Sequence, residues 1–301
     1  SIDLSKNKRR NARTIEKLSH IYYYNKDYKN AIRLLFESLE IDLSNHGEKH
    51  TFVSQTFLNL VNAYFKDNNY ENAIIYIQKS ISSNSLNKYD EENIISIPDL
   101  NKTLDKDLML SALRKKTVLF DSLYHNNLAD ITLMDIYNTS RSAVDMLLII
   151  NKSVSGKGSK KYWLNKEVIP VFETAIGYAI KLYDETKDVK YLEEAFQLSE
   201  RSKSILLMEC LQEKEAGKFA GIPDSVVSKE IRLNRLVSDM EKKKQDAIFR
   251  KNEELASEFE KEILNAQLQL EDLKKNLEKN YPEYFRLKYE ESLPTISQIQ
   301  E

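Results

Sequence analysis

Apolar residues over the first 84 positions fall at helical rather than alternating intervals. Ile15, Leu18 and Tyr22 recur at i, i+3 and i+7, as do Phe57, Leu60 and Tyr64, the steps that gather side chains on one face of an α-helix. Each stripe is followed by a short polar break, Asn25-Lys26-Asp27 or Asp67-Asn68-Asn69, and then by a second stripe with an alanine near its start. The segment NKDYKNAIRLLFESL thus recurs as DNNYENAIIYIQKSI, with Tyr28 matched to Tyr70 and Ala31 to Ala73 at a spacing of 42 residues. The pattern predicts two helix–turn–helix units, and the small alanine lets the two backbones of each approach closely.

Between Ser82 and Asp107 the periodicity lapses, and Pro98 stops a short apolar stretch at Ile94, Ile95 and Ile97. This predicts an ordered but irregular connector. Stripes resume at Leu108 and run through Ile131 to Ile150, a third and divergent hairpin closed by the loop SVSGKGSK. A fourth is expected from Trp163 to about Glu215, with Val171, Ala175, Ala179 and Leu182 on one helix and Leu192, Ala195, Leu198 and Leu206 on the next. Pro170 is expected in a bend or kink of the first of these. GKFAGIPDS then marks a boundary. Beyond it run two narrow stripes, Ile231, Leu233, Leu236, Val237 and Met240, then Leu255, Phe259, Ile263, Ala266, Leu270, Leu273 and Leu277. One unbroken helix across them would be about 84 Å long; a hairpin turning near Arg250 to Glu253 buries both stripes and is preferred.

The positions Leu18, Tyr22, Tyr28, Ala31, Leu35 and Ser38, repeated as Leu60, Tyr64, Tyr70, Ala73, Ile77 and Ser80, resemble the signature of the tetratricopeptide repeat. The period exceeds the usual 34 by eight, and the loop SNHGEKHTFV looks like the long-period subtype of kinesin light chains. Val61 stands at a usually small position, and Lys26 and Asn68 stand where a turn glycine is common. The run PVFETAIGYAIKLYDETKDVKYLEEAFQLSERSKSILLMECLQ, then AGIPDS, a charged helical hairpin and YPEYFRLKY, resembles the region preceding the peptidase domain in CHAT proteins, caspase-like cysteine peptidases fused to tetratricopeptide repeats. Val171 to Glu209 and Ala220 to Ser225 carry its most distinctive motifs. The resemblance implies a helical scaffold that senses or binds a partner and positions a peptidase in cis. In that family the segment matching Tyr284 to Tyr289 leads toward the catalytic domain, so the catalytic His and Cys would lie outside these residues and the chain reads as a non-enzymatic piece of a larger protein.

The fold class expected is therefore all-α: a tetratricopeptide-like α-solenoid of helical hairpins followed by a long antiparallel helical hairpin. Its expected divisions are two long-period units at 1–86, connector and divergent hairpins at 87–216, the long hairpin at 217–281, and a linker at 282–301. Composition agrees. Gly and Pro number only 6 and 5, against 31% charged and 41% hydrophobic residues, which disfavours turn-rich sandwiches, barrels and glycine-loop nucleotide folds. A net charge of −2 gives no global drive toward nucleic acid or anionic lipid. The apolar runs fall far short of the roughly 20 residues of a membrane span, and the single cysteine, Cys210, forms no internal disulfide, so a reducing cytoplasm is the default compartment.

Chemistry-bearing residues are few. Cys210 sits among Leu206, Leu207 and Leu211, the setting of a small core residue rather than of an activated thiol. His46 and His50 stand four apart, a spacing that suits zinc on a helix, yet Gly47 interrupts that helix and no third ligand is evident. SGKGSKK lacks the spacing of a phosphate loop and a preceding strand. No catalytic residue, cofactor or metal is expected. The better candidates lie on the first helix of each repeat, which lines the concave wall of a curved stack. By register these are Arg13, Glu16, His20, Tyr23 and Tyr24 in one unit and Gln55, Leu58, Asn62, Phe65 and Lys66 in the other. Aromatic rings beside charged and amide groups suit a protein or peptide partner. The alternative to a CHAT-type regulatory part is a self-contained tetratricopeptide adaptor.

Overall fold

The computed structural model describes residues 2–153, 168–213, 222–249, 252–282 and 285. Its helices are α1 (Ile2–Tyr24), α2 (Tyr28–His46), α3 (Thr51–Lys66), α4 (Tyr70–Asn84), α5 (Lys106–His125), α6 (Leu133–Ser153), α7 (Ile169–Thr186), α8 (Val189–Glu213), α9 (Asp224–Phe249) and α10 (Glu253–Asn280). Among the described residues there is no strand, only an isolated antiparallel bridge between Ser85 and Thr103. The fold is all-α, a tetratricopeptide-like arrangement of helices packed in successive pairs. Two compact units divide the chain, Ser1–Leu147 and Leu148–Glu301.

The turns explain why the helices stop where they do. After α1 the Asp27 amide reaches back to the Tyr22 carbonyl at 2.9 Å, with Lys26 held at φ 62°. The turn after α3 repeats this with Asn69 on Tyr64 at 2.9 Å and Asn68 at φ 59°. So does the turn after α5, with Leu128 on Leu123 at 3.0 Å and Asn127 at φ 53°. These six-to-one bonds satisfy the last carbonyls of each helix, and a left-handed residue is what allows the chain to reverse there. Each partner helix is then capped. Asp27 accepts from the Asn30 amide at 3.2 Å, Asn69 from Asn72 at 3.1 Å, and Thr132 and Asp135 close a reciprocal box at the start of α6.

Small residues set the crossings within the repeats. Ala31 and Ala73 are fully buried. Ser54 on α3 and Ser80 on α4 each donate a hydroxyl to the other's carbonyl, at 2.8 and 2.9 Å, and at the matching place Ser38 donates to the Ala12 carbonyl at 3.1 Å. Those backbones touch because nothing larger stands between them. A cluster of Leu35, Leu39, Val53, Phe57, Leu60 and Ala63 joins the first hairpin to the second.

The connector from Ser85 to Leu104 is pinned rather than loose. Leu86 donates to the Lys102 carbonyl and Leu104 to that of Asn84, both at 2.8 Å. Gln78 on α4 donates to the Asn93 carbonyl at 2.9 Å, and the buried Tyr89 hydroxyl shares its one hydrogen between Gln78 Oε1 and the Ser96 carbonyl oxygen, each 3.0 Å away. Lys116 on α5 is fully buried beneath it. Its ammonium donates to the Ser96 carbonyl at 2.7 Å and lies 5.3 Å from the Phe120 ring centre. Desolvation lowers its pKa to about 7, which the Asp135 carboxylate only partly counters.

In the second unit Pro170 occupies the first turn of α7. A missing amide costs nothing there, so it starts the helix instead of kinking it. Val171, Phe172, Ala175, Ala179 and Leu182 bury one side of α7, and Tyr191, Ala195, Leu198 and Ile205 that of α8; Leu192 is exposed. Ile222, Leu233, Ala266, Leu270, Leu273 and Leu277 form the core of the α9–α10 hairpin, with Asn252 capping α10 through the Leu255 amide at 3.1 Å. Leu236 and Leu255, expected in the two stripes, stand at the exposed edge of that seam. Trp163, the lysines of SGKGSKK and the tail beyond Phe285 lie outside the described residues, as do the side chains of Leu206 and Cys210.

Candidate functional site

A helix turns about 100° per residue, so α1 presents four distinct sides. Ala12 and Ser19 face inward, and Ala12 meets Ser38 of α2. Glu16 is turned toward α3, where the Asn59 side-chain amide donates to its carboxylate at 2.7 Å. Arg13, His20 and Tyr24 follow one another at i, i+7 and i+11 on an open side, and Tyr24 is 78% exposed. The same line on α3 carries Gln55, Asn62 and Lys66, half-buried to exposed. The ten residues expected on the concave wall therefore separate into two groups. Arg13, His20, Tyr24, Gln55, Asn62 and Lys66 form the accessible line.

The other four are drawn into packing. Glu16 and Leu58, at equivalent places of the two repeats, are both buried, because a rotation of about 60° from the open line points them into a helix seam. Tyr23 is half-buried, in edge contact with Tyr24 and Tyr28 at ring separations of 5.7 Å; burial, and then those two phenols, push its own phenol upward. Phe65 repeats the arrangement against Tyr70 at 5.6 Å. These rings brace the hairpin turns.

The charges of this line are partly committed. Arg13 pairs with Glu16 and donates to Asp42 at 2.7 Å, and its guanidinium lies 4.4 Å above the exposed Phe52 ring. Asp42 is buried and also accepts the Thr56 hydroxyl at 3.0 Å, so one carboxylate ties α1, α2 and α3 together. Sequence reasoning missed this knot, since Asp42 has Asn84 rather than a carboxylate at the 42-residue offset, and Thr56, though matched by Thr14, is not a signature position. It also missed the cations beyond Lys66. Burial, and then the charges of Lys66 and Arg114, hold the Lys115 amine below the ordinary lysine range, which places three basic groups near one another beyond the end of α3. The divergent third hairpin offers no 42-residue register from which to align Arg114 and Lys115.

His46 and His50 do meet, but as stacked rings with centres 4.2 Å apart. His46 ends α2, Gly47 breaks the chain direction at φ 72°, and His50 caps α3 by accepting the Phe52 amide on Nδ1 at 3.1 Å. Two rings in face contact do not converge on one metal. Among the described residues no group of three His, Cys, Asp or Glu side chains could hold one, and no helix is long and apolar enough to cross a membrane.

Residues 11–83 match the tetratricopeptide repeat family. The match runs from within α1 to near the end of α4, the stretch in which the 42-residue offset holds. No curated protein and no solved structure matches the chain.

Proposed function

We propose that the protein is a non-catalytic protein-interaction scaffold that binds an acidic peptide segment along the line formed by Arg13, His20, Tyr24, Gln55, Asn62 and Lys66. The supporting observation is the composition of that line: rigid aromatic area and side-chain amides, leading into the grouped charges of Lys66, Arg114 and Lys115. Grouped cations of this kind favour carboxylates, and a ring such as Tyr24 gives contact area at small entropic cost.

The test is selection from a displayed random peptide library on the full chain. Enriched sequences should be rich in Asp and Glu, and binding should weaken at least tenfold in a Lys66→Glu, Lys115→Glu double variant and when salt rises to 0.5 M. Failure to enrich, or enriched peptides indifferent to the charge reversals, would sink the reading. Peptidase turnover by the purified chain that disappears in Cys210→Ala would remove its non-catalytic part.

The finer reading makes this scaffold the regulatory part of a CHAT-type cysteine peptidase, with the α9–α10 hairpin bracing the peptidase in cis. Its support is the sequence resemblance of Val171 to Glu209 and Ala220 to Ser225. A self-contained adaptor is the alternative, and the reading frame beyond Glu301 separates the two.

A further inference from the structure

The long hairpin buries one side of α10, where Ala266, Leu270, Leu273 and Leu277 pack with Leu233 of α9. At about 100° per residue, Leu264 and Leu268 fall on roughly the opposite side of the same helix. They are 57% and 54% exposed. They also sit at the centre of a second pattern, Ser257, Lys261, Leu264, Leu268, Glu271 and Lys275, whose steps alternate between four residues and three. All six positions are exposed. That alternation is the spacing with which one helix meets another lengthwise.

The pattern is complementary to its own reverse. A lysine stands three residues before the leucine pair and a glutamate three residues after it. When two such faces meet antiparallel about a two-fold axis midway between the leucines, Leu264 of each copy lies against Leu268 of the other. Lys261 of each then lies against Glu271 of the other, so every contact occurs twice. A parallel meeting would set lysine against lysine and glutamate against glutamate. The charges thus select a second copy as the occupant and also fix its direction. They are available for this: Glu260 is engaged by Lys244 at 2.9 Å, whereas Lys261 and Glu271 have no ion pair among the described residues. On one flank Glu258 comes near Asp272 of the other copy, an opposing contact that keeps the association in the weak, reversible class of interfaces below about 1,200 Å².

We propose that this face of α10 is a self-association surface on which two copies of the chain pair antiparallel, Leu264 on Leu268 and Lys261 on Glu271. The proposal is independent of the peptide line, whose residues belong to the other compact unit. Pairing would give the scaffold two such lines and therefore avidity toward a partner with repeated acidic segments.

The experiment is sedimentation equilibrium of the full chain, from low micromolar to several hundred micromolar. The dimer fraction should grow with concentration. Leu268→Glu should abolish it across the range. Lys261→Glu alone, or Glu271→Lys alone, should weaken it at least tenfold, because two like-charged contacts replace two ion pairs. The double variant Lys261→Glu, Glu271→Lys should recover the wild-type affinity, since the pairs are merely exchanged. The altered residues are exposed, so melting curves taken where the chain is monomeric should overlay. A dimer that survives Leu268→Glu overturns the proposal, as does one indifferent to the single reversals, which is the behaviour of a parallel pairing. A chain monomeric throughout also overturns it, and a melting temperature lowered by Leu268→Glu would then assign the face to a segment of the same chain.

Discussion

Nine of the sixteen residues of α3 are buried, since α2, α4 and α5 all pack around it. In α10, which packs with α9, burial returns, among the described side chains, only at Ala256, Ile263, Ala266, Leu270, Leu273 and Leu277. Lys66 is the one charged residue of α3, whereas α10 sets a single apolar stripe among charged positions, so the two helices differ in how many sides are enclosed. Enclosure decides what a side chain is worth: a leucine surrounded by three helices leaves a hole when truncated, whereas one in a two-helix seam has solvent to one side and neighbours free to settle.

The largest effect that can break this comparison is truncation at matched leucines. Leu60→Ala in α3 should cost about 3–5 kcal/mol and Leu270→Ala in α10, which keeps some exposure, nearer 2, measured as shifts in chemical denaturation. Equal losses would show the hairpin to be as enclosed as the stack. Next comes Lys116, for which the long hairpin has no equivalent, because none of its described lysines is buried. With its folded value lowered to about 7, the unfolded chain binds a proton that the native chain does not, from there up to the ordinary lysine value. Stability should therefore rise between pH 7 and 9 and level off below 7. Lys116→Met should flatten that rise in urea midpoints; an unchanged slope would mean that the amine stays charged in the fold. Ala73→Leu, at a fully buried crossing, should cost about 1–3 kcal/mol by overpacking, and Ala256→Leu less, since that position of α10 keeps some exposure. Smallest, and expected to be alike in both regions, are the caps: Asn69→Ala and Asn252→Ala should each cost about 1 kcal/mol, because a cap depends on its own helix end and not on neighbours.

The same difference explains what could be read in the chain. Period and turn chemistry carry the hairpins, so Ala31, Ala73, the breaks at Lys26 and Asn68 and the leucine stripe of α10 were all visible as pattern. A helix wheel does not say where the next helix lies. Glu16 and Leu58 share the signature register with Arg13 and Gln55, and only the approach of α3 to Glu16 turns that position into seam. Arg114 and Lys115 belong to a hairpin that has lost the repeat, and Asp42 acquires its role from three helices meeting. Lys116 was invisible for another reason: its partner is a backbone carbonyl of the connector, and carbonyls leave no trace in a sequence.

Lys26, Asn68, Asn127 and Lys187 all hold positive φ without being glycine, at 62°, 59°, 53° and 57°, and each stands just past the first helix of a pair. A side chain in that backbone region carries a penalty of about 1–2 kcal/mol, while glycine's extra freedom in the unfolded chain takes back about 0.4–1 kcal/mol. Glycine at Lys26 and Lys187 therefore yields a modest net gain at each corner. The heat tolerance of this molecule can be raised from its bends alone, with every recognition surface left as it is.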